Sequence, residues 1–156
     1  MSEVRRTRSQ IRRSFQGPAW HGPSLMESLA DVTAAQAAAH PIAGAHSIWE
    51  LVLHAEAWMQ ETTRALSEAK YETLKGDADW PPVAAVSDAA WAAARAAIEQ
   101  SQARLNEAVT GLAEDALCST VPGQEFTFYG LLHGVAQHNI YHAGQIGLLK
   151  KISAAD

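Results

Sequence analysis

Three stretches of this chain, Ser47–Lys70, Ser87–Thr110 and Thr127–Ile152, open on a helix-capping residue and keep apolar residues at helical spacing. Ser47 is followed three residues later by Glu50, the reciprocal pattern of a capping box. Behind it Ile48, Leu51, Ala55, Trp58 and Ala65 share one face. Ser87 caps the second stretch, Asp88 suits its positive start, Val86 is placed to staple onto Trp91, and Gly111 supplies a stop. Thr127 caps the third, Phe126 and Leu131 form a staple pair, and Lys150 and Lys151 sit at its negative end. Residues 3–16 suit a basic helix ending near Gly17-Pro18, and shorter helical pieces are expected after Gly22-Pro23 and at Ala34–Ala39. Alanine occurs 31 times, as often as Val, Ile, Leu and Met together, which favours helix over strand throughout. No β-rich run interrupts this grammar. Long amphipathic helices joined by moderate loops predict an all-α, up-and-down four-helix bundle with extra short N-terminal helical segments. At 156 residues the chain is expected to form a single domain over 1–156.

Charge and composition exclude several classes of function. Residues 1–16 carry five arginines against Glu3, a balance of +4, which leaves −9 on the rest of a chain whose net charge is −5. An acidic body repels a phosphate backbone, so nucleic acid is not an expected partner, and the arginines read as the solvated face of a first helix. Arg5-Arg6 is not followed by an apolar run, and no stretch approaches the roughly 18 apolar residues of a membrane span, so a cytoplasmic protein is expected. One cysteine, Cys118, excludes an internal disulfide and a cysteine-rich zinc knot. With no basic neighbour in sequence to lower its pKa, it reads as an inert thiol. Any metal site here is built from histidine and carboxylate.

The third stretch departs from an ordinary amphipathic helix. Its apolar stripe runs Leu131, Val135, His138, His142, Gln145 and Leu149, and three of these six positions are polar. Buried polar groups need partners, so the stripe asks for a function. His138 and His142 stand one turn apart, about 5–6 Å between Cβ atoms, close enough to share a cation. Among seven histidines such a pair arises by chance often enough to be weak on its own. The pair lacks the glutamate of H-E-x-x-H, which disfavours a zincin protease, and no Glu-x-x-His pair supports a di-iron bundle. His54, on the apolar face of the first long helix, reads alone as a core histidine; taken with the pair it completes an open His₃ site. Spacing leaves both readings open.

The other polar and aromatic candidates have plainer readings. His21, His40 and His46 lie between helices, where solvent or cap roles are usual, and His133 faces about 140° away from His138. Glu50 is a candidate partner of His54 but is already explained by its cap. Tyr141 and Gln145 flank the pair and are placed to orient a ligand. Trp20, Trp49, Trp58 and Trp80 are unranked candidates for substrate walls.

Ser47-Ile48-Trp49-Glu50-Leu51-Val52-Leu53-His54 together with His138-Asn139-Ile140-Tyr141-His142-Ala143-Gly144-Gln145-Ile146 resembles the DinB/YfiT-like superfamily of four-helix-bundle metalloproteins. Ser14–Ser24 and Leu131–Val135 extend the likeness over nearly the whole chain, the C-terminal block being the most specific. The resemblance implies that His54, His138 and His142 bind one divalent metal, zinc or nickel. It also implies a homodimer and thiol-dependent transferase or isomerase chemistry on a small electrophile, with a low-molecular-weight thiol as co-substrate. The alternatives are a metal-dependent hydrolase and a non-catalytic, dimeric metal-binding bundle.

Overall fold

The computed structural model describes residues 1–153. Six helices follow in order: α1 Glu3–Gln16, α2 Leu25–Ser28, α3 Ala34–Ala38, α4 Ile48–Glu68, α5 Asp88–Thr110 and α6 Phe128–Ser153. The four long ones form the bundle and the two short ones bridge its top, so the all-α expectation holds. The expected capping box forms on α4, where Ser47 Oγ accepts from the Glu50 amide and Glu50 accepts from the Ser47 amide. Ser87 caps α5 and Thr127 Oγ1 accepts from the Gly130 amide at the start of α6. Unpredicted boxes at Ser24/Glu27 and Thr33/Gln36 hold the two short helices. The staple expected between Val86 and Trp91 does not form: Val86 is exposed, and Trp91 is buried with its Nε1 donating to the Val32 carbonyl.

At the end of α1 the chain depends on a glycine. Gly17 has φ +77°, and a Cβ there would lie 2.6 Å from the Glu27 carboxylate that caps α2. Only glycine meets both conditions.

Helix direction corrects the expected up-and-down order. Glu3 and Val4 amides bond Glu114 beyond the end of α5, and Arg8 bonds Thr110, so α1 and α5 run antiparallel. Tyr129 reaches Glu3 while Asn139 bonds Ser14, so α1 and α6 run parallel. Trp49 packs on Trp91 and Ser101 bonds Glu56, so α4 and α5 are also parallel. The order is therefore up-down-down-up. Parallel neighbours require a long return connection, and residues 69–87 supply it by running back along α4, past His54.

The main core cluster draws on every helix, with Ile11 and Phe15 of α1, Ile98 and Leu105 of α5, and Leu132 and Ile146 of α6 among its fully buried side chains, and a smaller one joins Ala65, Val121 and Leu131. No helix among the described residues is long and apolar enough to cross a membrane. The only strand-like feature described is one isolated bridge, Thr120 to Thr127.

Candidate metal centre

His54 stands two turns into α4 and faces α6, which presents His138 and His142 one turn apart. His138 Nε2 lies 2.9 Å from His54 Nε2 and 2.9 Å from His142 Nε2. One ligand atom from each residue falls within 4.8 Å of the others, the only such group of three among the described residues. His54 and His142 are buried and His138 is half-buried.

Neighbouring acceptors fix which nitrogen of each ring is free. His54 Nδ1 is 2.7 Å from the Asp79 carbonyl oxygen and 3.1 Å from its carboxylate. Both atoms accept, so Nδ1 carries the proton and Nε2 keeps its lone pair. His142 Nδ1 is 2.6 Å from Gln145 Oε1, which has the same effect. His138 can donate one Nε2 proton to one of these partners, never to both. Converging lone pairs without enough protons between them are what a cation satisfies, and three neutral imidazoles with space beside them form an open His₃ set. The residues present fit a divalent metal.

Burial favours the neutral form of His138 and His142. Burial, with the neighbouring His142 and His54, lowers the pKa of His138 to about 3. Burial also lowers that of His142 to about 4, against an opposing contribution from Gln145. In the unfolded chain both titrate near the ordinary 6.5. The metal-free protein therefore binds fewer protons than its unfolded chain below pH 6.5, and loses stability as pH falls from there toward 4. Above about pH 7.5 the effect is absent. Thermal denaturation in chelator between pH 5 and 8 is expected to show this decline, and the double replacement His138→Gln, His142→Gln to flatten it. A wild-type profile level down to pH 5 contradicts the burial described.

The return loop supplies partners that sequence reasoning missed. Asp79 accepts from Trp58 Nε1 at 2.7 Å as well as facing His54. The Trp80 ring lies between two imidazoles, 3.9 Å from His54 at 7° and 3.5 Å from His46 at 5°. This stack and the Nδ1 bond together fix the plane of His54. His46, read as an ordinary loop residue, also lies 3.4 Å from Glu50, whose carboxylate serves the Ser47 amide and His40. Glu50 is thus not a partner of His54. Asp79→Ala is expected to weaken metal binding about 10-fold to 100-fold, the range for an outer-shell partner. Competition titration with a chromogenic chelator measures it, and affinity equal to wild type contradicts the orienting role.

The remaining candidates separate clearly. Gln145 orients His142, and Tyr141, although largely exposed, meets the His142 ring edge to face with centroids 5.2 Å apart. Trp58 and Trp80 stand at the site; Trp49 is in the core against Trp91, and Trp20 is fully exposed. His133 packs on Tyr129 along the α1 side of α6, away from the cluster. Cys118 is exposed in the loop before α6. A cavity of about 550 Å³ opens beside His54 and His138, with Trp58, Tyr71, Leu131 and Val135 among its walls.

The sequence model of the DinB superfamily matches residues 20–146, which include all three histidines, Asp79 and Trp80. The chain belongs to the DinB superfamily. No curated protein and no solved structure matches it. In this DinB-superfamily chain the match begins after α1, although α1 is one of the four bundle helices.

Proposed function

We propose that His54, His138 and His142 hold one divalent cation, zinc or nickel, and that the protein uses it to transfer a small thiol onto an electrophile bound in the adjoining cavity. The observation behind this reading is the convergence of three Nε2 atoms at the mouth of a largely apolar cavity. A cation held there supplies positive charge that favours thiolate over thiol at neutral pH. The chain's own residues do the rest. Asp79 and Gln145 hold the Nδ1 protons of His54 and His142 and so leave Nε2 for the cation, Trp80 fixes the plane of His54, and the walls of the cavity displace water from the electrophile. In the transfer, a carbon–sulfur bond forms as the leaving group departs with its electron pair, and the thiol proton passes to solvent. The sulfur comes from a substrate, because Cys118 lies outside the cavity.

Turnover of a panel of electrophiles by the zinc- and nickel-loaded protein, with and without bacillithiol, mycothiol or glutathione, tests the reading. It requires product only when both metal and thiol are present. Turnover with metal alone replaces it with hydrolysis, and no turnover with any pair favours a non-catalytic metal-binding bundle. A homodimer belongs to the same proposal. Tyr141 and Leu148, two turns apart on α6 and more than 60% exposed, support pairing of two copies there, and sedimentation of the Leu148→Glu variant tests it.

A further inference from the structure

The cavity extends well beyond the histidines. Its α4 wall is His54, Trp58 and Thr62 and its α6 wall includes His138, Gly134 and Gly130, in each case one residue per turn. Eight residues of helix span about 12 Å. A groove of that length therefore leads from His54 to a far end where Tyr71 and Phe126 meet edge to face, ring centroids 5.6 Å apart.

Gly134, in the interior of α6, is not explained by packing, and neither is Gly130 in its first turn. Glycine in mid-helix is less favourable than alanine, and a fold tolerates it where a neighbour needs the room. No neighbour needs it here. A Cβ on Gly134 would meet no heavy atom within 4 Å, and one on Gly130 would make only ordinary contacts of 3.8 and 3.9 Å. Charge points to the kind of ligand the space suits. None of the lining residues is Lys or Arg, and the one carboxylate, Asp79, is already engaged by Trp58 and His54. An anion entering the groove would give up hydration with no side-chain cation to replace it, whereas an apolar skeleton gains by burial.

We infer that this groove selects the substrate: an uncharged, elongated, mostly apolar small molecule, its reacting end at the histidines and its tail between Tyr71 and Phe126, with anionic tails refused. The position of the reacting end rests on the metal-enzyme reading above; the polarity of the ligand rests on the groove alone.

Two fluorescent probes with one skeleton test the inference. N-phenyl-1-naphthylamine is uncharged, its 8-sulfonate is an anion, and both brighten in apolar surroundings. Titration of the folded protein is expected to give at least about tenfold tighter binding of the uncharged probe, since burial of the sulfonate goes uncompensated. Gly134→Leu fills the groove and is expected to weaken that binding about tenfold, with Gly134→Ala weakening it about twofold. Circular dichroism checks that both variants remain helical, and Gly134→Ala, which clashes with nothing, keeps the test available where the leucine variant fails to fold. Equal or tighter binding of the sulfonate, or unchanged binding in every folded variant, overturns the inference. Zinc titration of the same samples separates the two readings. Preference for the uncharged probe without zinc binding overturns the metal centre and leaves the groove. Zinc binding without the preference overturns the groove and leaves the metal centre.

Discussion

Replacing His142 with alanine is expected to lower zinc affinity by roughly a thousandfold, about 4 kcal/mol, while leaving the helices in place. The size follows from its position. Its Nε2 is one of three converging donors, 2.9 Å from that of His138, and its Nδ1 is already committed to Gln145. Losing a ligand exceeds the 10-fold to 100-fold loss typical of an outer-shell change, so His142→Ala should weaken binding more than Gln145→Ala does. The same difference appears in stability. Zinc at about 1,000 times its Kd stabilises a folded protein by about 4 kcal/mol, and a chain of this size gains about 2–4 °C in Tm per kcal/mol. Chelator-treated wild type should therefore rise by about 8–16 °C on zinc addition, and His142→Ala by a small fraction of that. Calorimetric titration and thermal melts of both proteins measure the pair of effects. If His142 is only a satisfied core histidine, the variant binds zinc as wild type does and its melt responds equally.

Phe15→Ala is expected to destabilise the protein by about 3–5 kcal/mol, the range for emptying a buried phenylalanine site. The corresponding drop in Tm is about 6–20 °C. Phe15 and Ile11 are fully buried, although α1 lies outside the residues that match the DinB superfamily. The arginines of this helix give it a solvated face, but its other face closes the bundle against α5 and α6. Asn139, buried one residue after His138, bonds Ser14 of α1, so the same helix braces the element that carries two of the three histidines. Denaturant unfolding monitored by far-ultraviolet dichroism measures the loss. A change below about 1 kcal/mol would show α1 to be an ornament on a three-helix core.

What the sequence disclosed was local. A cap and its partner lie three residues apart, so Ser47, Ser87 and Thr127 announced their helices within a residue. The pairing of His138 with His142 follows from helical pitch, and the inward face of His54 from the stripe around it. The direction of α5 was not legible, because no short-range signal says whether a loop turns back or runs the length of the bundle. Asp79 and Trp80 were lost with it. They lie 25 and 26 positions from His54, and only the parallel run of α4 and α5 brings them to its ring.

The buried face of α6 is wider than its apolar stripe. The helix packs against α1 and α2 as well as α4, so its buried arc includes Leu132, Asn139 and Ile146 beside His142. Periodicity finds one apolar face; a helix surrounded by three neighbours has a wider one.

Elemental analysis of the protein expressed and purified without a metal-affinity tag decides whether His54, His138 and His142 hold a metal ion. About one zinc or nickel ion per chain is expected, and less than about a tenth of that in folded His54→Ala. The absence of near-stoichiometric divalent metal from wild type, or equal occupancy in His54→Ala, would contradict the His₃ site.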